Sequence, residues 1–148
     1  MTKLTEPHVR LEIPVEGNNF TAAGEAASRV KKTLQKLGID STLIRRVAIA
    51  TYEAEMNIVI HADAGKIVLQ VDADGITVLA EDRGKGIPDL EKAMTAGFST
   101  ASDRVRAMGF GAGMGLPNIK KCTDYLAIDT EVNIGTKVVM KFNYPAAT

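Results

Sequence analysis

The glycine-rich stretch from Asp82 to Cys122 constrains this chain more than any other feature of its sequence. It reads DRGKGIPDLEKAMTAGFSTASDRVRAMGFGAGMGLPNIKKC, and seven of the thirteen glycines lie between Gly84 and Gly115. Glycine at that density indicates a backbone that adopts conformations, or approaches a ligand closely, in ways that a Cβ atom would obstruct. The stretch therefore predicts a binding site and not a linker.

Length and charge limit the class of protein. At 148 residues, the chain is predicted to be a single domain, residues 1–148, that buries about two-thirds of its unfolded surface. Basic and acidic side chains both number 18, so no basic field favours nucleic acid or an anionic membrane. The first residues, MTKLTEPHVRLE, lack the apolar core of a signal peptide, and no later run reaches the roughly 18 apolar residues of a membrane span. We therefore expect a cytoplasmic protein with neither a nucleic-acid nor a membrane partner.

Hydrophobic periodicity predicts strands and helices along the whole chain. Apolar residues alternate where strands are expected and recur at helical spacing elsewhere. Asp74-Gly75 predicts a two-residue hairpin, and the segment from Phe98 to Met108 is predicted to be a mobile lid. The predicted strands are His8–Val15, Lys66–Asp72, Ile76–Glu81, Tyr125–Glu131 and Thr136–Asn143, and the predicted helices are Thr21–Leu37, Thr42–His61, Ile87–Ala96 and Gly115–Asp124.

Three short motifs place chemically useful residues at defined spacings. Neither the P-loop pattern nor a dinucleotide fingerprint after a strand occurs, so those two nucleotide sites are excluded. The first motif lies in a predicted helix, the second closes an apolar run, and the third leads into a helix. In chain order they are Glu53-x-x-x-Asn57, Asp82-x-Gly84-x-Gly86 and Gly109-x-Gly111-x-Gly113-x-Gly115.

In this order the motifs resemble the ATP-binding domain shared by gyrase, heat-shock chaperones, histidine kinases and mismatch-repair ATPases. AEDRGKGIP (80–88), GFST (97–100) and GMGLP (113–117) are most similar to the small bacterial serine kinases of partner-switching systems, which comprise anti-sigma factors and a switch kinase. The resemblance runs from about Val9 to Phe142. It implies a two-layer α/β sandwich of the Bergerat type, with a mixed sheet, helices on one face, and ATP bound between a helix and the lid.

Asp82 is the candidate for reading the base. A buried carboxylate accepts a hydrogen bond from the exocyclic amine of adenine, whereas the carbonyl of guanine would face an unpaired negative charge. The alternative is an ordinary turn aspartate before glycine, and the presence of the other two motifs favours the ligand. The resemblance places Gly84 and Gly86 beside the adenine ring and Thr136 at the adenine end of the pocket, through its hydroxyl.

The third motif is the candidate for binding the phosphates. A glycine-rich loop that enters a helix N-terminus offers backbone N–H groups with the helix dipole behind them, a requirement that Gly111, Gly113 and Gly115 fit. The alternative, a flexible surface loop, would not need glycine at every second position. Magnesium takes oxygen ligands and keeps several waters, and Asn57 matches the metal ligand of the similar family. The same resemblance adds Gly109, Met114 and Leu116 to the nucleotide site.

Glu53 is the candidate general base. It lies one helical turn before Asn57, where a carboxylate could take the proton of a serine or water that attacks the γ-phosphate. The alternative is a helix-surface glutamate, and Glu55 is expected to be one, facing another direction and solvated. Arg104 or Arg106, in the lid, would neutralise γ-phosphate charge, and the sequence does not say which. His61 is predicted to be structural.

The resemblance implies a serine/threonine protein kinase that uses ATP and Mg to phosphorylate a small antagonist protein of STAS type. A second hypothesis is an anti-sigma factor whose main act is to sequester a sigma factor or another regulator, with nucleotide adjusting its grip. A third, a histidine-kinase catalytic domain, is disfavoured because no dimerisation helix with an acceptor histidine is visible. Association into a homodimer is open, and a structural domain without nucleotide is the remaining alternative.

Overall fold

The structure, a computed structural model, describes residues 9–94 and 115–145. Within these ranges the chain forms five strands and four helices, which we number in chain order. Their bounds are β1 Val9–Glu16, α1 Glu25–Lys36, α2 Ser41–His61, β2 Ala62–Val71, β3 Gly75–Gly84, α3 Leu90–Ala93, α4 Gly115–Cys122, β4 Tyr125–Glu131 and β5 Gly135–Asn143. None of the helices described is long and apolar enough to cross a membrane.

The five strands form one sheet in the order β1-β2-β3-β5-β4. Every neighbouring pair is antiparallel, so the prediction of a mixed sheet is wrong. The crossover from β3 through α4 does bring β4 into the same direction as β3. However, β5 lies between those two strands and pairs with both, which removes the parallel contact. The predicted two-layer α/β sandwich is confirmed.

The core lies between the sheet and the helices on one of its faces. Alternate residues of the central strands, such as Ile67 and Leu69 of β2 and Val78 of β3, are fully buried against α2. Burying a side chain of this size contributes about 1.5–3 kcal/mol. Helix α2 contacts β1, β2, β3 and β5. It therefore crosses most of the sheet and carries its polar residues to a defined edge.

A side-chain cap and a left-handed glycine determine where the two long helices begin. The carboxylate of Asp40 accepts the N–H of Leu43 at 3.1 Å and caps α2. Helix α1 begins at Glu25 and not at the predicted Thr21. The reason is Gly24, whose φ of 98° is left-handed and cannot continue a helix.

Strand β3 continues past its predicted end. The predicted strand ends at Glu81, but the ladder runs on to Gly84. Asp82 pairs with Gly65 of β2 on one side and with Thr136 of β5 on the other. The first residue of the second motif is therefore held inside the sheet, which fixes the direction of its side chain.

Candidate functional site

Two of the three motifs meet where α2 passes the start of α4. Glu53 and Asn57 lie one turn apart on α2, and Gly115 is the first residue of α4. A Cβ atom on Gly115 would lie 3.3 Å from Oδ1 of Asn57 and 3.4 Å from Oε2 of Glu53. The structure therefore brings together a carboxylate, an amide oxygen and a helix start without a side chain.

The carboxylate of Glu53 is half-buried, and this makes it a better base. Burial raises its pKa, because the charged form loses hydration, and a hydrogen bond with the side chain of Asn118 opposes that shift. Asn118 lies in the first turn of α4 and was not predicted as a site residue. No local pattern in the sequence marks it, because which side chain of that turn faces α2 depends on how the two helices pack.

Asp82 lies on the helix-facing side of the sheet, beside Thr136. Oδ1 of Asp82 accepts the backbone N–H of Thr136 at 3.2 Å, and Thr136 is 9% exposed. Burial raises the pKa of Asp82, against the effect of that hydrogen bond. The two residues predicted for the adenine end are thus adjacent, with a carboxylate and a hydroxyl side by side.

Gly65 permits α2 to approach Asp82. A Cβ atom there would lie 3.0 Å from Cγ2 of Ile58 and 3.1 Å from Cβ of Asp82, both closer than ordinary contact. Ile58 follows Asn57 directly, so α2 packs closely on the sheet next to Asn57. Sequence reasoning missed Gly65, although a glycine inside a strand often marks such a close approach.

The glycines of the second motif pack against the protein itself. Gly86 has a φ of 72°, and a Cβ atom on it would lie 2.5 Å from the carbonyl oxygen of Glu131. A Cβ atom on Gly84 would lie 2.8 Å from Cα of Ala62. These contacts explain why glycine is needed at both positions. Contact between these glycines and an adenine ring remains a prediction.

Thr130 joins the second motif to the last two strands, and sequence reasoning missed it too. Its Oγ1 accepts the backbone N–H of Ile87 at 2.8 Å and lies 2.9 Å from Oγ1 of Thr136. In β4 it follows Leu126 and Ile128 at alternate positions. A hydroxyl in an otherwise apolar inward row was the signal that could have identified it.

Glu55 is buried, which contradicts the expectation of a solvated surface glutamate. It is 2% exposed, and its carboxylate accepts the backbone N–H groups of Gly24, Ala26 and Ala27 at 3.0, 3.1 and 3.0 Å. It therefore caps α1 from the neighbouring helix. The expectation failed because its partners lie about thirty positions earlier in the chain.

His61 is the last residue of α2 and is partly buried. Burial lowers its pKa, and the positive charge of Lys85 acts in the same direction. Lys85 itself is exposed. The structural role of His61 remains a prediction.

Several predicted site residues lie outside the described ranges. The proposed lid lies outside these ranges too. The roles of the following residues therefore stay predictions: Arg104, Arg106, Gly109, Gly111, Gly113 and Met114. Of the third motif and its continuation, the described residues are Gly115, which borders Glu53 and Asn57, and Leu116, which is 6% exposed in the core.

Comparison with known proteins gives consistent matches. The sequence profile of the histidine kinase-like ATPase domain matches residues 18–142. Serine/threonine-protein kinase RsbT of Bacillus subtilis is 32% identical over 124 residues, covering 81% of this chain and 85% of the relative. The anti-sigma F factor of Clostridium beijerinckii is 31% identical over 125 residues, covering 79% and 84%.

Two solved structures share the fold. The SiaB-SiaC complex from Pseudomonas aeruginosa contains a chain that matches with a TM-score of 0.63 and 14% identity, covering 93% of this chain and 90% of that one. A structure of the RsbU and RsbW domains of a Mycobacterium tuberculosis protein matches with a TM-score of 0.62 and 15% identity. That match covers 93% of this chain and 32% of the other.

Proposed function

The chain belongs to the histidine kinase-like ATPase domain family, and from this premise we propose that it is a serine/threonine protein kinase that uses ATP and Mg²⁺. Its substrate would be a small antagonist protein, and phosphorylation would switch that protein between partners. The similarity to RsbT, which is named a serine/threonine-protein kinase, supports the reaction type. A cytoplasmic location and an antagonist of STAS type belong to the same proposal.

The observation that carries the proposal is the position of Glu53. Its half-buried carboxylate lies against the start of α4, beside Asn57. In that position Glu53 would take the proton of the acceptor serine as the serine oxygen bonds to the γ-phosphorus and ADP leaves. Because burial raises its pKa, the carboxylate holds that proton more firmly than an exposed glutamate would.

The residues present suit a magnesium nucleotide. Oδ1 of Asn57 and the carboxylate of Glu53 offer hard oxygen donors at the start of α4, and Mg²⁺ needs one or two such protein ligands besides water and phosphate. Asn57 would hold the metal, which when bound neutralises phosphate charge during transfer. Asp82 and Thr136 would hold the base.

A second function is favoured by a specific observation. The relative from Clostridium beijerinckii, 31% identical, is named an anti-sigma F factor. A chain of that kind would act mainly by sequestering a transcription regulator, and nucleotide would adjust the affinity. The two functions use the same fold and differ in whether Glu53 is needed.

Substitution of Glu53 separates these functions. The purified chain and its Glu53→Gln variant are incubated with ATP, Mg²⁺ and phosphatase-treated extract of the source cells, and new phosphosites are mapped by mass spectrometry. The kinase proposal predicts acid-stable phosphoserine or phosphothreonine on one small protein, lost with Glu53→Gln but kept with Glu16→Gln, an exposed β1 control.

Retention of ATP by the variant is measured in parallel by calorimetry. If Glu53→Gln binds ATP and still captures its regulator while no wild-type phosphosite is found, sequestration is the function. If the wild type labels a histidine, the serine/threonine assignment is wrong.

A further inference from the structure

Helix α4 approaches α2 closely at both of its ends. At its start, a Cβ atom on Gly115 would lie 3.4 Å from Oε2 of Glu53. At its end, Nε of Arg46 donates to the carbonyl oxygen of Cys122 at 3.0 Å. Arg46 and Glu53 lie about two turns apart on one side of α2. The two helices therefore run in opposite directions, with one face of α4 against that side of α2.

Asn118 lies on this face of α4, between the two points of contact. It follows Gly115 by three residues and precedes Cys122 by four, and residues at these spacings share one side of a helix. Burial raises the pKa of the Cys122 thiol, and the charges of Arg46 and Glu53 act on it as well. The amide of Asn118 is partly buried and donates to the carboxylate of Glu53, which opposes the effect of burial on the pKa of that carboxylate.

The polar partner of Glu53 is neutral, and this suits a base. Among the described residues, no lysine, arginine or histidine forms an ion pair with Glu53. A cation in that place would also hold the carboxylate, but it would stabilise the charged form and lower the pKa of Glu53. An amide fixes the direction of the carboxylate with a weaker effect on its affinity for a proton. A carboxylate has about four acceptor positions on its two oxygens, so the bond to Asn118 leaves others free to take a proton.

We infer that Asn118 is a positioning residue for phosphate transfer, which holds the carboxylate of Glu53 toward the acceptor serine. The inference rests on the proposed role of Glu53 as the general base. In that step the serine proton passes to Glu53, the serine oxygen bonds to the γ-phosphorus, and the bond from that phosphorus to ADP breaks. Asn118 is assigned no contact with ATP or with the serine. A group misplaced by about 1 Å can slow a reaction about 100-fold, so loss of the amide should appear in the rate.

The contact is tested first, without any substrate. Urea unfolding at pH 7 is measured for the wild type, Asn118→Leu, Glu53→Gln and the double variant, since leucine has a similar shape to asparagine but no donor. Asn118→Leu should lower the unfolding midpoint more when Glu53 is present than in the Glu53→Gln background, because a hydrogen bond to a charged acceptor is the stronger one. Additive effects would show that the two side chains do not interact, and would overturn the inference.

The positioning role is tested by separating rate from binding. The wild type, Asn118→Leu, Asn118→Gln and the control Lys121→Gln, an exposed residue of α4, are incubated with radiolabelled ATP, Mg²⁺ and a dilution series of phosphatase-treated extract of the source cells. Asn118→Leu should lower the maximal rate of labelling by about 10–100-fold. The half-saturating dilution, and the ATP affinity measured by calorimetry, should stay unchanged. Asn118→Gln keeps an amide and should recover part of the rate, and Lys121→Gln should match the wild type.

Three other results would overturn the inference. If Asn118→Leu loses ATP affinity in proportion to its rate, Asn118 serves packing. If Asn118→Leu keeps the full rate while Glu53→Gln loses labelling, Glu53 is positioned without Asn118 and the kinase proposal stands. A wild type that labels no protein contradicts the kinase proposal itself, and the positioning role falls with it. The urea data report the contact between the two side chains in every case.

Discussion

At the scale of single residues, burial disfavours the charged form of both carboxylates of the site. The pKa of Glu53 is raised above its ordinary 4.5 and that of Asp82 above its ordinary 3.8, in each case chiefly by lost hydration. The folded protein therefore binds these protons more firmly than the unfolded chain does. By linkage, each group lowers stability as pH rises from its unfolded pKa through its folded pKa.

Glu53→Gln should for this reason stabilise the unliganded protein at pH 7. Removing the charge removes the hydration penalty, so the free energy of unfolding should rise relative to the wild type, and the gain should vanish below pH 4.5, where Glu53 is protonated in both states. Urea unfolding at a series of pH values measures this. Glu16→Gln, at an exposed position, should change little, and a loss of stability in Glu53→Gln at neutral pH would contradict the argument.

Asp82→Asn should lower the affinity of the protein for ATP without unfolding the chain. The asparagine oxygen can still accept the N–H of Thr136, but the proposed bond to the adenine amine would lose its charge, and a charged hydrogen bond contributes about 1.5–3 kcal/mol. We expect about a 10-fold or larger loss of ATP affinity by calorimetry. Asp129→Asn, on the exposed face of β4, is the control. Equal affinities for the two variants would remove Asp82 from the site.

The site residues that sequence could predict are those with local signatures. Glu53 and Asn57 share a helix face by spacing alone, and Asp82 is marked by its two glycines. Thr130 and Glu55 depend on partners far along the chain, at separations of 43 residues to Ile87 and 31 residues to Gly24. The helical pattern shows on which face of α2 Glu55 lies. It does not show which element packs on that face, so the burial of Glu55 could not be deduced.

At the scale of elements, Glu55 ties α1 to α2. Its carboxylate occupies the N-terminus of α1, where backbone N–H groups lack partners within the helix and the dipole favours negative charge. No other acidic side chain is buried in the part of the chain that the structure describes. Glu55 therefore fixes the N-terminus of α1 on α2 through three hydrogen bonds.

Glu55→Ala should destabilise the fold by about 2–4 kcal/mol, because it leaves buried N–H groups without acceptors. Glu25→Ala removes an exposed acidic residue from the same helix terminus and should cost about 0.3–1 kcal/mol through the dipole alone. Both are measured by urea unfolding. Similar costs for the two variants would mean that the contacts of Glu55 carry no special weight.

Element order was largely predictable, and strand direction was not. Periodicity locates the strands and helices, and Asp74-Gly75 marks the β2–β3 turn, where the carboxylate of Asp72 accepts the N–H groups of both residues. The insertion of β5 between β3 and β4 has no local signature. It is decided by which order buries Val138, Met140 and Phe142 under the helices, a property of the whole sheet.

At the scale of the whole molecule, three segments separated in sequence hold one proposed ligand, so ligand binding and stability are coupled. Any ligand that binds only the folded state stabilises it by RT ln(1 + [L]/Kd), about 2.7 kcal/mol at a hundredfold excess over Kd. Saturating ATP with Mg²⁺ should therefore raise the thermal midpoint of the wild type. Addition of EDTA should remove part of that rise, because in the proposed site the metal would link phosphate to Asn57.

Asn57→Ala should abolish this dependence on Mg²⁺. The variant loses the amide oxygen proposed as the protein ligand, so ATP should raise its thermal midpoint by the same amount with Mg²⁺ or with EDTA, and by less than in the wild type with Mg²⁺. Asn143→Ala, an exposed asparagine at the end of β5, should behave as the wild type does. If Asn57→Ala keeps the full difference between Mg²⁺ and EDTA, the metal is held elsewhere. In that case the contact between Asn57 and the start of α4 serves packing alone.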